Sequence, residues 1–175
     1  DYAEGAHPRI IERLSEVNLL QQNGYGLDEY SLDAEMIIKR KMNNPAAKVY
    51  LVSGGTQANL IIISAFLRPH ESVVAANTGH IFTNESGAIE ATGHKVHGIE
   101  NADGKIRPED VQKIIDGHQN MPHQVKQKMV YISNSTELGT IYSKTDLIAL
   151  YEFCQTKNLF LFVDGARLGH ALTAE

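Results

Sequence analysis

The grouping with most chemical potential in this chain is Asp164-Gly165-Ala166-Arg167, which follows the apolar run of residues 159–163. It places a carboxylate, and three residues later a guanidinium, where a predicted buried strand gives way to a turn. A carboxylate at the end of an apolar strand needs a partner, because burying a lone charge is costly. Two partners remain open at this stage. One is the protonated ring nitrogen of a bound cofactor, with Arg167 reaching a phenolate or a substrate carboxylate. The other is an internal Asp164–Arg167 ion pair in an Asp-Gly turn.

A second candidate site is Gly54-Gly55-Thr56, between a predicted buried strand over residues 49–52 and a predicted helix over residues 57–67. Glycines at such a turn let the backbone approach an anion, and the first N–H groups of a helix have no intrahelical partner. Thr56 adds a hydroxyl donor. The alternative is a tight turn that needs positive φ. The pattern lacks both the Lys-Ser/Thr of a Walker loop and the third glycine of a dinucleotide fingerprint.

A third candidate follows the predicted strand of residues 72–76, where Thr78-Gly79-His80 precedes Glu85. A histidine just past a strand end can present its ring face to a flat aromatic ligand. Glu85, about one turn along a predicted helix over residues 82–91, can hydrogen-bond a group of the site. The alternative is a histidine that caps a helix and a Glu85 that is solvated.

The elements that must position these groups form a regular alternation. Strands are predicted at residues 49–52, 72–76, 95–99, 129–133 and 160–163, with helices at 57–67, 82–91, 109–116 and 145–157. Two further helices, one opened by Pro8 and one capped by Ser31, precede them. This spacing predicts a three-layer α/β fold with a mostly parallel sheet and helices on both faces. Open α/β sheets bind ligands outside the carboxyl ends of their strands. The three groups therefore predict one crevice for a flat, phosphorylated cofactor.

Composition argues against several other classes of protein. The chain has 175 residues, a formal net charge of −5 and scattered Lys and Arg, so we expect no nucleic-acid partner. No apolar stretch approaches membrane-spanning length, and we expect no membrane partner. Cys154 is the single cysteine and cannot form an internal disulfide. With no secretory pattern at the start of the sequence, the expected compartment is the cytoplasm. No metal site is expected.

An ordered set of short motifs runs from one end of the chain to the other. The set comprises Gly5-Ala-His7-Pro8, Gly24-Tyr-Gly26 with Asp28, Gly55-Thr56 with Ala58-Asn59, Arg68-Pro69, the His80…Glu85…Gly87 spacing, Asp103-Gly-Lys105, Ser135-Thr136-Glu-Leu-Gly139-Thr140 and Asp164-Gly-Ala-Arg167-Leu168. In these motifs the chain resembles the threonine aldolase/β-eliminating lyase family. Its members are pyridoxal 5′-phosphate (PLP) enzymes of the aspartate-aminotransferase-like fold (fold type I).

The resemblance implies a role for each candidate residue. Gly55 and Thr56 would hold the phosphate, His80 would stack on the PLP ring, Asp164 would pair with the pyridine nitrogen, Arg167 would lie by the cofactor's 3-oxygen and the substrate, and Glu85 would support His80. The implied reaction cleaves a β-hydroxy-α-amino acid of the threonine or allo-threonine type into glycine and an aldehyde. Family members are usually dimers or tetramers, so the resemblance also implies a homo-oligomer, with Tyr25 and Gly26 near a subunit contact.

Two positions depart from the family's pattern. Glu137 stands where many members carry a histidine implicated in handling the substrate hydroxyl, and Gly54 stands where a serine is common. Glu137 keeps open a β-eliminating lyase that acts on an aromatic or thiol amino acid. A further alternative is a non-catalytic fragment that binds PLP or phosphate.

The resemblance also sets an expectation about extent. Residues 1–175 would form most of the large PLP-binding domain, with an N-terminal helical segment at about residues 1–45. The lysine that bonds the cofactor covalently and the small C-terminal domain would lie past Glu175. We therefore expect the 175-residue chain alone to show little or no aldolase turnover.

Overall fold

The structure, a computed structural model, describes residues 5–119 and 122–174, and the chain divides into two compact units, Asp1–Leu51 and Val52–Glu175. The first unit contains helices α1 (Pro8–Val17) and α2 (Glu29–Lys41), neither of which has a buried residue. Pro8 opens α1, as predicted. The predicted cap of α2 is wrong by three residues. Asp28 is the cap, because its carboxylate accepts both the N–H (2.8 Å) and the hydroxyl (2.6 Å) of Ser31. Residues 1–4 of the predicted N-terminal segment lie outside the described residues.

A four-stranded parallel sheet forms the centre of the second unit. Its strands are β1 (Glu71–Ala76), β2 (Val96–Ile99), β3 (Lys126–Ser133) and β4 (Phe160–Asp164), in the order β2-β1-β3-β4. The helices are α3 (Gly55–Phe66), α4 (His80–Thr83), α5 (Ala88–Ala91), α6 (Pro108–Asp116), α7 (Lys144–Thr156) and α8 (Leu168–Ala174). None of these described helices, nor those of the first unit, has the length and apolarity that crossing a membrane requires.

Helices cover both faces of the sheet, which confirms the predicted three-layer architecture. Successive strand residues point to opposite faces. On one face Val73 and Tyr131 pack with Ile63 of α3 and with the short helices α4 and α5. On the other face Val74 and Val130 pack with residues of α6 and α7. The two faces therefore have separate apolar cores.

The predicted strand over residues 49–52 is wrong. This segment is not in a strand, and Tyr50 and Leu51 are 81% and 63% exposed. An apolar run becomes a strand only where another strand offers it a ladder of hydrogen bonds, and no described strand pairs with this one. Gly54-Gly55-Thr56 consequently follows a segment without regular secondary structure and not a strand of the sheet.

The predicted helix over residues 82–91 is also corrected, because it is two short helices, α4 and α5. Between them Ser86 and Gly87 have φ of 52° and 79°, the left-handed region that ends a helix. Glu85 therefore lies in a turn and not on a helix. The break between α4 and α5 therefore sets the position of the Glu85 carboxylate.

Candidate functional site

Two of the predicted site groups are adjacent at the carboxyl end of the sheet. Asp164 is the last residue of β4 and is in register with Ser133, the last residue of β3. His80 follows β1 by four residues and opens α4. Because all the strands are parallel, their carboxyl ends meet at one edge, and the following loops converge there.

Asp164 is half-buried and accepts two hydrogen bonds. The Tyr131 hydroxyl donates to Oδ2 (2.6 Å), and the Ala166 N–H donates to Oδ1 (3.0 Å). Burial, and then the hydrogen bond to Asp164, raise the pKa of the Tyr131 hydroxyl well above its ordinary value. The phenol therefore stays protonated and acts as a donor. The two contacts fix the orientation of the Asp164 side chain, one on each oxygen.

Glu137 lies at the meeting point of the site. Its Oε1 accepts hydrogen bonds from the Ser133 hydroxyl (2.7 Å) and from the backbone N–H of His80 (3.1 Å). The same oxygen is 3.6 Å from Nη2 of Arg167, which also donates to the carbonyl of Ser135 (3.4 Å). The residue that departs from the family's pattern thus connects the start of α4 to Arg167.

The imidazole ring of His80 contacts a buried carboxylate, that of Glu85. Its Nδ1 is 2.6 Å from Glu85 Oε1, and the Asn59 amide donates to the same oxygen (2.8 Å). The Glu85 side chain is 1% exposed, whereas that of His80 is 37% exposed. A carboxylate oxygen accepts, so Nδ1 donates to Glu85 and this contact fixes the orientation of the ring. The alternative of a solvated Glu85 is therefore wrong, because the turn at Ser86 and Gly87 keeps Glu85 under the histidine.

The start of α3 has the form of an anion site. Gly54 is extended, with φ of 175°, and Gly55 has no positive φ, so the tight-turn alternative does not hold. The first helical bond runs from the Ala58 N–H to the Gly54 carbonyl (3.0 Å), which leaves three earlier N–H groups outside the helical ladder. A Cβ built on either glycine meets no atom within 4 Å. Asn59, one turn further along α3, ties this helix to Glu85.

Three contributing residues were missed by sequence reasoning: Asn59, Tyr131 and Ser133. Tyr131 lies within an apolar strand, where an aromatic residue is read as core. The pairing of β3 with β4 is what indicates its role. Tyr131 is two residues before Ser133, the partner of Asp164, so Tyr131 and Asp164 lie on the same face of the sheet. In the sequence Asn59 stands out only as part of a motif, although an amide beside the apolar run of residues 60–63 itself indicates a buried polar contact.

Comparisons with known proteins agree with this geometry. A family model described as beta-eliminating lyase matches residues 6–174. The low specificity L-threonine aldolase of Pseudomonas aeruginosa is 29% identical over 173 residues, which are 98% of this chain and 49% of that protein. The chain thus spans about half the length of the curated relatives it matches.

Solved structures give the same picture. A threonine aldolase from Leishmania major superposes with a TM-score of 0.96 at 45% identity, over 98% of this chain and 50% of that one. The PLP-bound C–S lyase of Staphylococcus hominis shares the fold, with a TM-score of 0.60 at 18% identity over 89% of this chain and 38% of its own. With a family model matched along nearly its whole length, the chain belongs to the beta-eliminating lyase family.

Proposed function

We propose that this chain is part of a PLP-dependent carbon–carbon lyase that cleaves a β-hydroxy-α-amino acid of the threonine or allo-threonine type into glycine and an aldehyde. One observation carries the proposal. Side-chain contacts connect Asp164, through Tyr131, Ser133 and Glu137, to the backbone of His80 at a single end of the sheet. The relatives at 29% and 45% identity are named as threonine aldolases, which supports the substrate class.

The donor set fits PLP. Asp164 offers a half-buried carboxylate to a ring nitrogen, and His80 offers a ring that is 37% exposed in its side chain. The start of α3 offers backbone N–H groups and the Thr56 hydroxyl to a phosphate, with open space in front of Gly55. In addition, Glu85 Oε2 is buried and has no hydrogen-bond partner among the described residues. A buried oxygen without a partner needs an explanation, and an ordered water or a bound group beside it is one.

When bound, PLP supplies an electron sink for the pair released from the Cα–Cβ bond. The contribution of this chain is to hold groups around it. Asp164, oriented by Tyr131 and the Ala166 N–H, would keep a proton on the ring nitrogen. His80, fixed by Glu85, would pack against the ring. Arg167 would face the 3-oxygen and the substrate, and Glu137, 3.6 Å from Arg167, would face the same substrate.

The remaining properties follow as proposals from the family. Residues 1–175 would form most of the large cofactor-binding domain, with the helices of the first unit as its N-terminal segment. The protein would act in the cytoplasm as a homo-oligomer.

The test uses the protein as its gene encodes it, reconstituted with PLP and given L-threonine and L-allo-threonine. Glycine and acetaldehyde in equal amounts would support the aldolase. Glu137, an acid where a histidine is common, favours one second candidate, a β-eliminating lyase. Ammonia released from thiol or aromatic amino acids, without glycine, would select that candidate. PLP binding without either product would indicate a non-catalytic binding protein.

A further inference from the structure

Tyr131 has a hydroxyl that its surroundings do not require. Its ring is fully buried on the sheet face that also carries Val73 and Met129, where it packs with Ile63 of α3, and all three of these residues are apolar. Phenylalanine would fill the same space. A buried hydroxyl is unfavourable unless it is hydrogen-bonded, so the hydrogen-bond partner of the Tyr131 hydroxyl accounts for a tyrosine at this position. That partner is Asp164 Oδ2 at 2.6 Å.

Strand register explains how the two groups meet. Tyr131 is opposite Phe162, and Ser133 is opposite Asp164. Residues two apart on a strand share a face, so Tyr131 and Asp164 lie diagonally across neighbouring strands on the side covered by α3, α4 and α5. The length of a tyrosine side chain spans this diagonal and places its hydroxyl at the carboxylate.

The ring of Tyr131 is fully buried and lies between Phe162 and the loop before α4. It packs edge-on against Phe162, with centroids 5.2 Å apart and an interplanar angle of 85°. Its Cε1 is 3.7 Å from the position of a Cβ built on Gly79, the residue before His80. The hydroxyl is therefore fixed relative to both Asp164 and the start of α4.

The single proton of the phenol goes to Asp164. Nearby, the Ser133 hydroxyl is 3.5 Å from the phenol oxygen but donates to Glu137 at 2.7 Å. Burial raises the pKa of Tyr131, so the phenol keeps its proton and acts as a hydrogen-bond donor to Asp164. A fixed donor on one oxygen orients the carboxylate.

We propose that Tyr131 is a positioning residue that holds the Asp164 carboxylate aimed at the ring nitrogen of the cofactor. This inference rests on the proposed function. Tyr131 does not touch the reacting atoms and acts only through Asp164.

The experiment compares two ligands in the protein as its gene encodes it. One is PLP, and the other is a PLP analogue whose ring nitrogen is replaced by carbon. For Tyr131→Phe we expect the dissociation constant of PLP to rise about tenfold, the value of one hydrogen bond to a charged group, while that of the analogue stays the same. Tyr142→Phe is the matched control. Tyr142 is equally buried, on the opposite face, and its hydroxyl accepts the Ile106 N–H. We expect it to change neither constant.

Three results would overturn the proposal alone. If Tyr131→Phe weakens both ligands equally, the residue has only a packing role; if it weakens neither, the hydroxyl has no role toward Asp164. A wild-type protein that binds the analogue as well as PLP would show that Asp164 does not engage the ring nitrogen, and this would also overturn the proposal. Failure of the wild type to bind PLP at all is a separate result, which would overturn the proposed function together with this inference.

Discussion

The sheet carries a buried polar cluster at each end, and only one of them has the properties of a binding site. The amino-end cluster consists of Ser72, His97, Gln127 and His118. His97 Nε2 lies 3.1 Å from the Ser72 hydroxyl and 3.3 Å from the Gln127 amide, and its ring packs edge-on against His118 at 4.6 Å. The carboxyl-end cluster also contains a serine and a histidine, Ser133 and His80. It differs by its three carboxylates and by three other polar side chains, Glu85, Glu137, Asp164, Asn59, Tyr131 and Arg167.

The difference between the clusters is one of charge and access. Burial lowers the pKa of His97 to about 4, and its electrostatic interactions with His118 and Lys95 add to the effect, so at neutral pH His97 is uncharged. The residue is also only 6% exposed. At the carboxyl end, charged groups remain next to partly exposed ones, His80 and Arg167. A buried polar network therefore indicates a ligand site only where charge is held close to an open surface.

The largest expected effect is at Asp164. Asp164→Asn keeps the shape of the side chain but removes the charge that a protonated ring nitrogen requires. We expect kcat for threonine cleavage to fall about 10²- to 10³-fold, the range seen when one electrostatic group is removed from an active site. Asp116→Asn, at the exposed end of α6, is the control and should leave kcat unchanged. If Asp164→Asn keeps more than one tenth of the activity, the carboxyl-end cluster does not have the role in catalysis that sets it apart from the amino-end cluster.

The next effect concerns the amino-end cluster and acid. The folded-state pKa of His97, about 4, lies below the ordinary histidine pKa of 6.5. As pH falls through this window the unfolded chain takes up a proton before the folded protein does. The free energy of unfolding should therefore drop by roughly 3 kcal/mol between pH 6.5 and pH 4 on account of this residue. Urea titrations at several pH values measure this drop.

His97→Gln should flatten that dependence, because glutamine does not titrate. His70→Gln, which removes an exposed histidine, is the control and should leave the dependence as it is in the wild type. If the free energy of unfolding depends on pH equally in all three proteins, His97 is not kept neutral by burial.

A smaller effect is expected where α3 meets Glu85. Asn59→Ala removes one of two donors to a carboxylate that is 1% exposed in its side chain. We expect a loss of about 1–3 kcal/mol in the free energy of unfolding, together with weaker PLP binding. Ser64→Ala, an exposed position on the same helix, provides the control for helix propensity. Loss of stability with unchanged PLP affinity would make Asn59 a residue of the fold alone.

The smallest effect is expected at Ser72. Ser72→Ala removes the hydroxyl that contacts His97 and donates to the Lys126 carbonyl (3.2 Å). We expect a loss of about 1 kcal/mol in stability and no change in PLP affinity. A change in PLP affinity measured by titration would mean that the two ends of the sheet are coupled.

Much of this arrangement could be predicted from the sequence, because strand and helix periodicity depends on local pattern. The alternation gave the three layers, and the Asp-Gly-Ala-Arg turn gave the acid at a strand end. The rest depends on partners distant in sequence. Residues 49–52 have a strand-like pattern but no described partner, and Tyr131 is indistinguishable from core until the β3–β4 register is known. The burial of Glu85 depended on left-handed residues at 86 and 87, which break a helix that periodicity alone favours.

The central claim is that the carboxyl end of the sheet binds PLP between His80 and Asp164. A crystal structure of the protein as its gene encodes it, grown with PLP, tests this most directly. The account predicts the pyridine nitrogen within hydrogen-bond distance of Asp164, the ring against the His80 imidazole and the phosphate at the N–H groups that open α3. Cofactor density elsewhere, or an Asp164 that contacts no ring nitrogen, would contradict it.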